Sequence, residues 1–195
     1  MQKLYLHQKH ILVMSIQMVL GVEDTIKYAK KFVNDGPFLV FAGDTIYKSN
    51  TEKTVARQLL DAFNKTNSTT ICLKEVPIEK TKYYGIVSGE KIDDGLYLIK
   101  DMVEKPDVKE APSNLAITAA YALKPEIFNY IEKIKPGKGG EYQLTDALAL
   151  MSKNEKVFGV KINGKMYDIG SKESWIEAFI EFAKNDDRFA DIFKN

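Results

Sequence analysis

The stretch Phe38-Leu-Val-Phe-Ala-Gly-Asp-Thr-Ile-Tyr47 constrains the fold more than any other part of this 195-residue chain. Four large apolar residues run together and stop at Ala42-Gly43-Asp44. A short apolar run closed by a turn signal reads as a strand buried on both faces, as in a parallel α/β sheet. A carboxylate just past the C-terminal end of such a strand stands where open α/β sheets bind their ligands. Asp44 is therefore a candidate site residue; the other reading of it is a cap or a turn residue.

The flanking sequence alternates. Residues 11–20 read as a strand, and Val22, Ile26, Ala29 and Val33 then recur at helical spacing until Asn34-Asp-Gly-Pro37 stops them. A strand–helix–strand unit implies parallel strands with a right-handed crossover. Val55, Leu59, Ala62 and Phe63 mark a second helix, and the β-branched run Thr69-Thr-Ile-Cys-Leu-Lys-Glu-Val76 a further strand. The pattern changes at residue 84. Tyr84-Gly-Ile-Val87 and Leu96-Tyr-Leu-Ile-Lys-Asp-Met-Val103 read as antiparallel strands, with turn signals at Ser88-Gly89 and Asp93-Asp94-Gly95.

Residues 115–123 read as a strand, 125–134 as a helix, 136–140 as a flexible loop and 141–151 as a helix. Residues 157–162, Asn163-Gly164 and 165–169 read as strand, turn and strand, because Asn-Gly is the strongest short hairpin signal. A helix over 172–184 follows, with Trp175, Phe179 and Phe182 in its apolar stripe. The fold class expected is α/β: a mixed, mostly parallel sheet flanked by helices, with an antiparallel hairpin insertion.

Composition narrows the function classes. The length suits one domain, and a formal net charge of +1 gives no global field for nucleic acid or an anionic membrane. The longest apolar run, residues 11–20, is too short to span a bilayer. It could imitate a secretory signal beside Lys3, Lys9 and Gly21, but a core strand explains it more simply. Cys72 is the single cysteine, so no internal disulfide forms and a reducing cytoplasm is the expected compartment. His7 and His10 could share a helical face, yet the chain holds no third histidine to complete a metal site.

Two aspartates, Asp44 and Asp168, each end a strand with a glycine close by. If both strands end on one face, the carboxylates could share Mg²⁺, which typically takes one or two carboxylates together with phosphate oxygens; otherwise they are two unrelated strand-end residues. Glu104-Lys105 precedes Pro106 at another strand end. The lysine could hold a phosphate as a point charge and the glutamate could accept sugar hydroxyls, or the two form an exposed ion pair. Gly139-Gly140 either admits a ligand to the backbone or is a plain entry to the next helix.

Several runs together carry a resemblance that spacing alone does not supply. Val103-Glu-Lys-Pro106, Ala111-Pro-Ser-Asn-Leu-Ala-Ile117, Gly140-Glu-Tyr-Gln-Leu-Thr-Asp-Ala147 and Tyr167-Asp-Ile-Gly170 occur in this order. They resemble the bacterial and archaeal UTP–glucose-1-phosphate uridylyltransferases, also called UDP-glucose pyrophosphorylases. Leu20-Gly-Val-Glu-Asp-Thr-Ile26 and Phe41-Ala-Gly-Asp44 are similar to earlier segments of that family, so the likeness covers roughly residues 20–185. It is closer to the uridylyl branch of the superfamily than to the thymidylyl branch.

The resemblance implies a Rossmann-like sheet of the nucleotide-diphospho-sugar transferase type, and a reaction of UTP with glucose-1-phosphate that yields UDP-glucose and pyrophosphate. By the same resemblance Asp44 and Asp168 hold a catalytic Mg²⁺, and Lys105 contacts the sugar phosphate. Glu104 and the Gly85 backbone bind glucose hydroxyls, and Ile117 lines the sugar pocket. No nucleic acid or membrane partner is implied.

The departures matter too. Members of the family begin with a strand and a glycine-rich loop of the form Gly-x-Gly-Thr-Arg; the first glycine here is Gly21. Thr45 stands where the family often has a second aspartate, and Ala119-Ala120 where it often has Gly-Arg. Gln17 stands near, but out of register with, the family's uracil-contacting glutamine. The chain reads as a single nucleotidyltransferase-like domain lacking its usual N-terminal strand and loop. Such a domain would expose strand edges, which makes a homo-oligomer, or cover from residues 11–20, the expectation.

Overall fold

The computed structural model describes residues 13–16, 22–33, 35–136 and 142–193. The dominant apolar run forms β2 (Phe38–Ala42), buried on both faces. Phe38 and Val40 pack into one hydrophobic core, while Leu39, pointing the other way along the pleat, packs into a second. β1 (Val13–Ile16) lies parallel beside β2, with Val13 opposite Leu39. Between them runs α1 (Val22–Val33), whose Ile26, Ala29 and Val33 are buried at the spacing that the sequence shows. His7, His10, Gln17 and the rest of the 11–20 run lie outside the described residues.

After β3 (Thr45–Ser49) the chain enters α2 (Val55–Thr66). Both ends of α2 are capped. The Thr54 side chain accepts the Arg57 N–H at 3.2 Å, and Asn67, at φ 49°, donates its N–H to the Phe63 carbonyl at 2.7 Å. Leu59 and Phe63 carry the helix onto the second core. The strands β4 (Thr70–Glu75), β5 (Gly85–Asp93), β6 (Leu96–Glu104), β7 (Leu115–Leu123) and β8 (Phe158–Lys161) complete a seven-stranded sheet in the order β1-β2-β7-β4-β8-β6-β5.

β1, β2, β4 and β8 run in one direction, with β7 inserted against them between β2 and β4. This is the mixed, helix-flanked α/β sheet that the alternation implies. α3 (Ile127–Ile131) and α4 (Leu144–Ser152) bury Ile127, Phe128, Leu148 and Met151 in the first core. No described helix is long and apolar enough to cross a membrane.

β5 and β6 form the antiparallel hairpin insertion, turning at Gly95 with φ 71°. β5 also pairs with β7, and β6 with β8, so β7, β4, β8, β6 and β5 close a ring. Ser88-Gly89 is not a turn. It sits inside β5 at a register shift, where a Cβ on Gly89 would stand 2.8 Å from the Leu98 carbonyl oxygen; the glycine serves a close strand approach.

The Asn163-Gly164 hairpin is also overturned. β8 pairs with β4 and β6, whereas β9 (Gly164–Asp168) leaves for a separate two-stranded ribbon with β3. β3 itself was not expected from the sequence. The helix expected over 125–134 is confined to Ile127–Ile131, and that over 141–151 begins at Leu144. Residues 137–141 lie outside the described residues. α5 (Lys172–Lys184) starts at Ser171, whose side chain accepts the Ser174 N–H at 3.2 Å.

Candidate functional site

The ribbon β3–β9 is what joins the two strand-end aspartates. The chain leaves the large sheet after β2, turns through Gly43-Asp44 and enters β3, whose Thr45 is paired with Asp168 at the end of β9. The Ile169 N–H donates to the Asp44 carbonyl at 2.8 Å, which fastens the two turns together. Gly170 donates its N–H to Asp168 Oδ1 at 3.1 Å. A Cβ built on Gly170 would stand 3.1 Å from Asp168 Oδ1 and 3.8 Å from Asp44 Oδ2. The two carboxylates thus converge on one small space that glycine leaves open.

The ribbon is anchored from three sides. Tyr47 donates its hydroxyl to the Thr118 carbonyl, and Gln58 of α2 clamps Asn163, accepting its N–H at 2.8 Å and donating to its carbonyl at 3.2 Å. Lys48 and Lys165 form ion pairs of 2.5 Å with Glu181 and Glu177 of α5. Burial pushes the Tyr47 phenol pKa up, so it stays a neutral donor.

The β5–β6 insertion supplies further lining of the cleft. Gly85 and Glu104 are register partners at its end. Thr145, in the first turn of α4, donates its hydroxyl to Glu104 Oε2 at 2.6 Å. Lys105 takes a positive φ of 44° while its N–H donates to the Tyr84 carbonyl at 3.0 Å. Its ammonium stands 3.8 Å from Glu104 Oε1 and is half-exposed. A Cβ on Gly85 would come within 3.0 Å of Glu104 Oε2, Ile117 Cδ1 and Thr145 Oγ1, so only glycine leaves its backbone bare here.

Asp44, Gly85, Glu104, Lys105, Ile117 and Asp168 all line one cleft of about 440 Å³. Its lining thus combines two carboxylates, a carboxylate–lysine pair and the apolar Ile117 side chain. Sequence reasoning missed Thr145, Tyr84 and Tyr121, which line it too. Thr145 sits inside the run Gly140–Ala147 that carries the resemblance, so a signal for it existed, whereas Tyr84 lies in none of those runs. Tyr121 is 7% exposed, and its phenol pKa is pushed up chiefly by burial and further by the Glu104 charge.

The donor set suits a hard divalent cation. Two convergent carboxylates leave most positions to water and phosphate oxygens, as Mg²⁺ prefers. Among the described residues no group of three or more His, Cys, Asp or Glu gathers to hold a metal ion, at the cleft or beyond it, so of these residues the two aspartates make the whole acidic contribution to the cation site.

Comparison with known proteins places the chain in a family. Residues 2–185 match the family model described as nucleotidyl transferase. A Streptococcus pneumoniae UTP–glucose-1-phosphate uridylyltransferase is 38% identical over 178 residues, covering 90% of this chain and 60% of its own length. The Bacillus subtilis enzyme of the same name is 40% identical over 171 residues, covering 88% and 58%. A Methanocaldococcus jannaschii relative, provisionally named for that activity, is 47% identical over 161 residues, covering 83% and 56%. This chain therefore spans less than two thirds of the length of these relatives. A crystal structure of UDP-glucose pyrophosphorylase with UDP-glucose superimposes with a TM-score of 0.82 at 36% identity, covering 87% of this chain and 64% of that one. The chain belongs to the nucleotidyl transferase family.

Proposed function

We propose that the cleft binds glucose-1-phosphate and Mg²⁺, and that the reaction served is uridylyl transfer. The observation that carries this reading is the meeting of Asp44, Asp168, Gly85, Glu104, Lys105 and Ile117 in one cleft. Glu104, oriented by Thr145, accepts glucose hydroxyls beside the bare Gly85 backbone, and Ile117 packs under the sugar ring. Lys105 pairs with the sugar phosphate. An oxygen of that phosphate attacks the α-phosphorus of UTP in line; a new phosphorus–oxygen bond forms, and pyrophosphate leaves with the electrons of the bond that breaks. Such a transfer needs alignment and charge neutralisation more than covalent help. Asp44 and Asp168 would hold the Mg²⁺, which when bound supplies that neutralisation on the phosphates.

The names of the relatives support UTP and glucose-1-phosphate as substrates. The assay that tests this reading is UDP-glucose and pyrophosphate formation from UTP and glucose-1-phosphate with Mg²⁺. Product formed by the chain and lost in Asp44→Ala is expected. No product, or product indifferent to the substitution, contradicts uridylyl transfer.

Cytoplasmic placement and self-association belong to the same proposal. The first is supported by the free, buried Cys72. The second is supported by α5, where Trp175, Ile176 and Phe179 are each at least half-exposed.

A further inference from the structure

Lys74 is a cation that the proposed chemistry does not use. It lies near the end of β4 and is only partly exposed. Its ammonium sits 4.5 Å from the centre of the Tyr84 ring and 3.4 Å from the Tyr84 hydroxyl. Tyr84 lines the cleft together with Asp168, whereas Lys74 does not reach it. Among the described residues Lys74 makes no ion pair, so its charge is not cancelled by a neighbouring carboxylate. Burial lowers its pKa, while the Asp168 charge, acting at longer range, opposes that shift. The same Asp168 charge helps raise the Tyr84 phenol pKa, after burial. The ammonium is thus held against the Tyr84 ring by a cation–π contact, and that ring lines the cleft that Asp168 also lines.

We propose that Lys74 is a positioning residue that holds the Tyr84 wall and keeps the Asp44–Asp168 pair weak for a free divalent cation. The inference rests on the reading of these aspartates as the cation site. A fixed positive charge held against the Tyr84 wall of the cleft reduces the field that draws a dication to the carboxylates lining the same cleft, and little bulk water screens a partly buried charge. Because Lys74 stands outside the cleft, it acts on the cation through the field and through Tyr84, not as a ligand to a phosphate. A pair weakened in this way favours a cation that arrives already carried by phosphate oxygens over one that binds alone.

The test is Mn²⁺ alone, titrated into the full chain and followed by electron paramagnetic resonance, without nucleotide or sugar. Lys74→Met is expected to tighten Mn²⁺ binding by about threefold or more, and Lys74→Arg to keep the wild-type affinity. Asp44→Ala is expected to abolish binding in both the wild-type and the Lys74→Met backgrounds. Lys74→Gln repeats the test if the Met variant does not fold, as judged by circular dichroism. Equal or weaker Mn²⁺ affinity in the folded neutral variant, with Asp44→Ala still abolishing binding, overturns the inference alone. Wild-type Mn²⁺ binding that ignores Asp44→Ala overturns the cation-site reading, and the inference with it.

Discussion

Ala119 holds a φ of 55° at the place where β7 changes partners, from β5 at Ala116 to β2 at Ala120. A side chain in the left-handed region costs roughly 1–2 kcal/mol, and glycine avoids it at an entropic cost of roughly 0.5–1. The family pattern often has glycine here. Ala119→Gly is therefore expected to stabilise the fold by about 0.5–1 kcal/mol, read as a higher urea midpoint; a lower midpoint contradicts the strain assigned to this residue. Gly85 presents the opposite case. Its Cβ would press on the Glu104 carboxylate, the Ile117 methyl and the Thr145 hydroxyl. All three are side-chain ends, so Gly85→Ala should fold while displacing Glu104. Glucose-1-phosphate binding should fall by about tenfold or more, whereas unchanged binding would remove Gly85 and Glu104 from the sugar site.

At the scale of elements, the ribbon β3–β9 decides whether there is a site at all, because its register sets Thr45 against Asp168. A Cβ on Gly164 would stand 2.6 Å from the Lys48 carbonyl oxygen, a backbone atom that cannot swing away. Gly164→Ala is expected to cost about 1–3 kcal/mol, seen in thermal unfolding. It should also part Asp44 from Asp168 and remove Mn²⁺ binding together with stability. Retained Mn²⁺ binding would show that the ribbon is not what joins the aspartates.

This element was also the least legible in the sequence. β2 announces itself through an unbroken apolar run, β4 through a β-branched one and β7 through an apolar run interrupted by Thr118. Thr45–Ser49 is a half-exposed strand whose partner stands far along the chain, and no local periodicity encodes that partner. Asn163-Gly164 carries the local signature of a hairpin, yet Gln58 and the Asn50–Asn163 backbone contact capture it for the ribbon. A tertiary contact outweighs a turn preference there.

For the whole molecule, the order of β2, α2, β4 and the β5–β6 hairpin follows from apolar spacing and from one Asp-Gly turn. The gathering of the site does not. Asp44, Glu104-Lys105 and Asp168 were each visible as strand-end residues, but their meeting in one cleft depends on how β7 runs against its neighbours and how the ribbon folds back. Thr145 lay inside a family-like run, but its role lies in one bond to Glu104, which no spacing encodes.

The central claim is that this cleft is built for a sugar phosphate. Its most direct test is calorimetric titration of glucose-1-phosphate into the full chain, beside Lys105→Met and Glu104→Gln. Saturable binding weakened at least about tenfold by each substitution is the result expected from losing a charge-assisted contact. No binding, or binding indifferent to both substitutions, would contradict it.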